Sequence, residues 1–236
     1  MTRLHRTRLL FGESGIKKLQ ESTVMVVGCG AVGSFAIEAL ARTGIGNIIV
    51  VDFDTVDTSN INRQLFALES TVGCPKVDVA ANRIRDINPD INVTAINAFF
   101  DNDFAFDICP DYIIDAIDTV ESKVALYKWA NSRNIPFISS MGAASKLDPA
   151  RVCVSPLSKT SVCPLASRVR RAVRDCGLPD FPVVFSSEPA LPVMGHAKNL
   201  GSIITVTGTF GLMLANYVIR EIIQNKNSLT SNNSLL

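Results

Sequence analysis

The 236 residues, 47% of them hydrophobic, are enough to bury one substantial core. A formal net charge of +1 excludes a molecule that attracts nucleic acid through its overall charge, so any basic surface has to be local. Six cysteines, Cys29, Cys74, Cys109, Cys153, Cys163 and Cys176, include no C-x-x-C pair, which argues against a zinc site built from paired knuckles. A basic N-terminus without a long apolar run adds the expectation of a cytoplasmic, reducing location.

Residues 9–19 read as a short amphipathic lead-in broken at Gly12 and Gly15. A buried parallel strand is expected at 23–27, a glycine turn at 28–33, a helix at 34–42 ended by Gly44 and Gly46, and a second strand at 47–51 closing on Asp52. That is one βαβ unit. The alternation continues with a helix at 76–87 stopped by Asn88-Pro89, strands at 91–96 and 112–117, a helix at 121–134 and a strand at 137–140. Strands alternating with helices predict an α/β fold with a Rossmann-like, doubly wound, mostly parallel sheet. After Gly142 prolines become frequent, and a less regular half is expected to pack on the sheet, with a helix near 166–175 and a flexible loop near 188–200. The charge-free stretch 203–219 contains Thr205, Thr207, Gly208, Gly211 and Asn216 and reads as buried core rather than a bilayer span, its helix running over 211–223. The predicted organisation is a single domain over 1–224, nucleotide-binding to about 142 and substrate-side beyond it, with a disordered Asn- and Ser-rich tail from 225.

Gly28-Cys29-Gly30-Ala31-Val32-Gly33 is a G-x-G-x-x-G turn between a strand and a helix, where backbone N–H groups and the helix dipole can meet phosphates. Asp52, at the end of the next strand, is placed to accept bonds from ribose hydroxyls. These features alone would suggest NAD. The following residues Asp54, Asn60, Asn62, Arg63 and Gln64, with Lys76 at a helix start, favour a triphosphate, Arg63 as a fork and Lys76 as a point charge. Asp118, after a strand that holds Asp115, is a candidate ligand for a Mg²⁺ ion bridging the phosphates, and Thr119 follows it. Between residues 146 and 174, Lys146, Arg151, Lys159, Arg168, Arg170, Arg171 and Arg174 face only Asp148 as an opposing charge. Such a single-sign patch reads as a contact surface for an RNA backbone, with Arg168, Arg170, Arg171 and Arg174 on one helix. Cys163, before Pro164 and a helix, reads chiefly as a packed cysteine, although a helix N-terminus can activate a thiol.

In order, the glycine turn, Asp52-Phe53-Asp54, Asn62-Arg63-Gln64, Val72-Gly73-Cys74-Pro75-Lys76 and Asp115 to Asp118 resemble the adenylation domain of ubiquitin-activating-enzyme-like proteins. The resemblance implies binding of ATP and Mg²⁺ at these positions and adenylation of a carboxylate. Ser139-Ser140-Met141-Gly142-Ala143, Lys146-Leu147-Asp148-Pro149 and the segment Ser158 to Ala166 narrow it to the tRNA threonylcarbamoyladenosine dehydratase branch, which cyclises a modified adenosine beside the anticodon. Lack of the paired zinc cysteines of the sulfur-carrier activators agrees with that branch. By its spacing to Gly12, Arg6 matches the superfamily arginine that reaches across a homodimer to the ATP phosphates, with Arg8 as the competing candidate. The implied partners are tRNA, a second copy of the chain and, in the wider superfamily, a sulfur-transfer protein, with no membrane. Activation of a sulfur-carrier or ubiquitin-like C-terminus, NAD-dependent oxidoreduction and non-catalytic nucleotide sensing stand as the alternatives.

Overall fold

Runs of β-branched and other apolar residues, TVMVV, NIIVVD, YIID and PVVFS, form strands that are buried on both faces, as a central parallel sheet demands. In the computed structural model, which describes residues 2–104, 106–192 and 200–224, the elements run α1 (His5–Glu21), β1 (Thr23–Val27), α2 (Gly33–Thr43), β2 (Asn47–Asp52), α3 (Lys76–Ile87), β3 (Asn92–Asn97), β4 (Tyr112–Asp115), α4 (Val120–Ser132), β5 (Phe137–Ser140), β6 (Val152–Pro156), α5 (Pro164–Asp175), β7 (Pro182–Ser186) and α6 (Ile204–Gln224). They build one seven-stranded sheet in the order β3-β2-β1-β4-β5-β7-β6, parallel except for β6, which pairs antiparallel with β7. Side chains alternate across the sheet. Val24 and Val26 join the core under α2, α3 and α6, while Met25 and Val27 join the core under α4 and α5. The expected doubly wound architecture is therefore observed.

The differences from the sequence reading are local and have physical causes. Of the two expected breaks near the N-terminus, only Gly12 (φ 69°) interrupts α1; Gly15 is buried and stays helical. β4 ends at Asp115, two residues early, because the Asp115 carboxylate accepts the Ile117 N–H (2.9 Å) and turns the chain out of the strand. α6 begins at Ile204 rather than near 211: its first turns, rich in β-branched residues and interrupted by Gly208, have poor intrinsic helix propensity, and packing overrides it. Val206, Thr207, Gly208 and Phe210 are all buried there. No helix among the described residues is long and apolar enough to cross a membrane. Most of the expected loop at 188–200 and the whole tail from 225 lie outside the described residues.

Candidate active site

The strand order reverses between β1 and β4, with β2 and β3 on one side and β4, β5, β7 and β6 on the other. At such a switch point the connections leave in opposite directions and open a crevice beyond the carboxyl ends of the strands. A cleft of about 1300 Å³ lies there.

One wall is the glycine turn. Gly28 has φ +98°, and a Cβ on it would fall 2.7 Å from the Ala116 carbonyl oxygen. A Cβ on Gly33 would sit 1.7 Å from the Gly28 oxygen. These two glycines shape the turn, and Gly33 does not itself line the cleft. Gly30 is different: a Cβ there would meet only Gln64 Nε2, at 3.7 Å, so its bareness leaves room for a ligand. Ala31 and Val32 continue the wall to the start of α2, which has no side-chain cap and whose Ser34 N–H turns back onto Gly30 O (3.0 Å).

Asp52 leaves β2 with its carboxylate held from two sides, accepting from the Cys29 N–H (2.6 Å) and the Asp54 N–H (2.9 Å). Burial, and next the negative Asp52, push the Cys29 thiol well above its ordinary pKa, against a smaller opposing pull from Lys76. Cys29 is thus a packed thiol and no nucleophile. Segments 54–56 and 73–76 are tied together by Val56 N–H to Cys74 O (2.9 Å), Gly73 N–H to Val56 O (2.8 Å) and Lys76 N–H to Asp54 O (2.9 Å). This clamp delivers the buried Lys76 ammonium to the cleft, 2.7 Å from Asp54. Asp57 caps the short turn Thr58–Asn60, and the Asn60 side chain accepts the Asp57 N–H in return (3.2 Å). From there Asn62, Arg63 and Gln64 project to the cleft. Arg63 Nη1 donates to Ser59 O (2.6 Å) and Asn62 Oδ1 (2.8 Å), which anchors one edge of an otherwise exposed guanidinium. Asn62 Nδ2 donates to Ser202 O (3.2 Å), joining this wall to the approach to α6.

Asp118 lines the cleft beyond β4, exposed, its carboxylate without a hydrogen-bond or ion-pair partner among the described residues. Thr119 stands at the head of α4, exposed, and does not line the cleft. Arg6 is exposed on α1 and does not line the cleft of its own chain. Arg8 is paired with Glu13 (2.7 Å).

The opposite wall is formed by Ser140 to Ala144 after β5 and by Pro164, Leu165 and Arg168 of α5. α5 buries Ala166, Val169 and Val173, so Arg168, Arg171 and Arg174 stand exposed on its outer side. Arg170 departs from the expected patch: its Nη1 donates to Leu157 O (3.2 Å), Thr160 O (3.0 Å) and Thr160 Oγ1 (2.6 Å), holding the turn ahead of α5. Lys146 is buried, donating to the Glu188 carbonyl. Arg151 pairs with Asp148 (3.4 Å). Arg174 has a looser, exposed pair with Asp175 (3.7 Å). The exposed cations of the expected patch outside the Arg151–Asp148 pair are therefore Lys159, Arg168, Arg171 and Arg174, of which Arg168 alone reaches the cleft. Cys163 is buried as the N-cap of α5, its Sγ accepting the Ala166 N–H at 3.5 Å, in keeping with packing. Sequence reasoning missed Phe99 as a site residue. It packs edge to face on Phe53 (centroids 4.9 Å), and both half-exposed rings line the cleft. Their position just past the carboxyl ends of β2 and β3 was the available signal.

A family model described as the ThiF family matches residues 4–236. The tRNA threonylcarbamoyladenosine dehydratase of Bacillus subtilis is 48% identical over 192 residues, 80% of this chain and 76% of that one. Crystal structures of the Escherichia coli tRNA N6-threonylcarbamoyladenosine dehydratase in complex with AMP and with ATP give TM-scores of 0.88 and 0.87 at 36% and 35% identity, covering 94% of this chain and 94% and 93% of those chains. The molybdopterin-synthase adenylyltransferase of Escherichia coli is 36% identical over a shorter stretch of 152 residues, 63% of this chain and 60% of that one. The chain belongs to the ThiF family, and within it to the tRNA threonylcarbamoyladenosine dehydratases.

Proposed function

We infer that this protein is an ATP-dependent tRNA threonylcarbamoyladenosine dehydratase, which closes a ring on the modified adenosine after adenylating its carboxylate. The observation that carries the reading is a single cleft with two unlike walls. One is a glycine turn flanked by Asp52, Arg63 and Lys76, and the other ends at Arg168 on an outward basic helix face. The first wall suits a nucleoside triphosphate. The second suits a polyanion whose reactive nucleotide enters the cleft, since single-stranded loops are the part of an RNA that can be splayed into a pocket.

In this reading the substrate carboxylate attacks the α-phosphorus of ATP and pyrophosphate leaves. A nitrogen or oxygen of the same substituent then attacks the acyl carbonyl and AMP leaves. Arg63 and Lys76 neutralise the charge that grows on the phosphates, the backbone of the glycine turn at Gly30 to Val32 lies against phosphate oxygens, and Asp52 holds the ribose. No side-chain nucleophile is needed, in agreement with the raised Cys29 thiol and the buried Cys163. Mg²⁺ fits the donor set: it binds through one or two carboxylates together with substrate phosphates, and Asp118 offers an unpartnered carboxylate at the cleft. When bound, the ion would neutralise phosphate charge.

A homodimer is part of the proposal. Leu9 and Leu10 of α1 are 70% and 76% exposed and Leu212 of α6 is 51% exposed, which leaves apolar surface on two helices that pack together. Arg6 shares α1 with the first two. A cytoplasmic location follows from a tRNA substrate. The test is incubation of the purified protein with ATP, Mg²⁺ and tRNA carrying threonylcarbamoyladenosine, followed by mass spectrometry of the nucleosides. The expected product is lighter by one water, formed with AMP and pyrophosphate. An unchanged nucleoside, together with pyrophosphate release on a carrier protein ending in Gly-Gly, would favour the sulfur-carrier activators whose adenylation half this chain shares.

A further inference from the structure

Behind the cleft lies a buried ionic cluster of which only the Asp115 contact that ends β4 has been described above. The Lys123 ammonium of α4, its side chain 1% exposed, is 3.0 Å from the Asp115 carboxylate, which is fully buried at the end of β4. Ser139 of β5 completes the group, donating its hydroxyl to Asp115 (2.6 Å) and lying 3.1 Å from the Lys123 ammonium. Two charges withdrawn from water are poor sources of stability, because desolvation offsets much of their attraction and well-packed apolar residues often serve the fold as well or better. Their position supplies another reason for them. Oδ1 of Asp115 accepts the Ile117 N–H at 2.9 Å and so shapes the turn 116–118 that ends in Asp118. The same turn carries the Ala116 carbonyl that lies against Gly28, and the Ala116 N–H donates to Val27 O at 2.8 Å. Ser140, next to Ser139, lines the cleft directly.

We propose that Lys123, Asp115 and Ser139 are positioning residues: the buried cluster fixes the turn 116–118, and through it the Asp118 carboxylate against the glycine turn, in the geometry that receives a divalent cation with the nucleotide phosphates. This rests on the reading of Asp118 as the carboxylate for Mg²⁺. Each member has its part. Asp115 uses one oxygen on the turn and the other on its partners, Lys123 neutralises it, and Ser139 ties the pair to β5. Groups that orient a ligating carboxylate from behind typically change metal affinity or activity about 10- to 100-fold when removed.

The experiment compares two double variants in the full-length protein. Asp115→Leu with Lys123→Met replaces the ion pair by apolar groups and removes the acceptor for the Ile117 N–H. Asp115→Asn with Lys123→Met also discharges the site but keeps an oxygen able to accept that bond. Thermal midpoints report the fold, ATP binding is measured with and without Mg²⁺, and turnover is measured across a Mg²⁺ titration. We expect the Leu/Met variant to remain folded and to bind metal-free ATP within about twofold of wild type. Its Mg²⁺ midpoint should rise about tenfold or more, with the Asn/Met variant between it and wild type. Wild-type Mg²⁺ midpoints in both variants would overturn the proposal, as would losses that follow only the folded fraction. If the Leu/Met variant does not fold, Ser139→Ala gives the same comparison with a smaller shift in the same direction, and no shift there overturns it equally. Failure of the underlying reading looks different: wild-type protein would bind ATP no more tightly with Mg²⁺, and Asp118→Asn would turn over normally.

Discussion

At the scale of single residues, the cleft separates groups that hold the backbone from groups free to act on a ligand. Gly28 and Gly33 are required by backbone contacts, Asp52 is fixed by two N–H donors, and Arg63 is pinned along one edge while the other faces the cleft. Lys76 is buried and paired with a half-exposed Asp54, so an incoming phosphate competes with that carboxylate for an ammonium already in place. Lys76→Ala and Arg63→Ala should each lower turnover about a hundredfold, the usual loss of ~3 kcal/mol when one donor aimed at developing charge is removed. Thermal midpoints should stay close to wild type. Steady-state pyrophosphate release alongside melting curves checks both statements, and wild-type rates in either variant would withdraw that residue from the site.

At the scale of the element, the basic patch shows how far composition carries and where it stops. Residue types alone made seven cations between 146 and 174 look equivalent. Helical periodicity spreads Arg168, Arg170, Arg171 and Arg174 over one broad face; Arg168, Arg171 and Arg174 do stand on the outer side of α5. Arg170 does not serve that face, because its donors hold a turn ten or more residues away, and Lys146 binds a carbonyl 42 residues on. Such pairings are long-range, so no local pattern encodes them, and the same holds for Lys123, a buried lysine on what reads as an ordinary helix. The glycine turn, Asp52, the Asn62 to Gln64 run and Lys76 were legible because each belongs to a strand-turn-helix unit whose chemistry is local. Arg171→Glu with Arg174→Glu should weaken tRNA binding strongly and flatten its dependence on salt, since fewer counterions are released on binding. ATP affinity should not change. Equilibrium binding between about 50 and 200 mM salt makes the comparison, and an unaltered salt slope would assign this face to something other than RNA. Arg170→Glu should instead lower the melting temperature, because it removes donors from three oxygens of the turn.

At the scale of the whole molecule, the proposed pair of chains has a direct assay. If Arg6 completes the partner's cleft, mixing Arg6→Ala with Lys76→Ala should restore activity, because one of the two sites in a hybrid dimer then has both residues. No recovery, with subunit exchange verified by differently tagged chains, would place Arg6 outside the site. The order of synthesis brings out a last consequence of the fold. Gly211 of α6 presses on the first turn of α2: a Cβ there would lie 2.2 Å from Val32 O and 2.9 Å from the Ala36 N, and Gly208 rests on the Phe35 ring. The glycine turn is therefore braced by a helix that is synthesised long after it. The chain should have no ATP-competent intermediate on the way out, and nucleotide should not protect a nascent chain that stops before Ile204. Ribosome-bound chains of increasing length, probed by protease with and without ATP, should gain protection only once α6 has cleared the exit tunnel. Binding is thereby coupled to synthesis of α6, and a product that stops before Ile204 would draw no ATP from the cell.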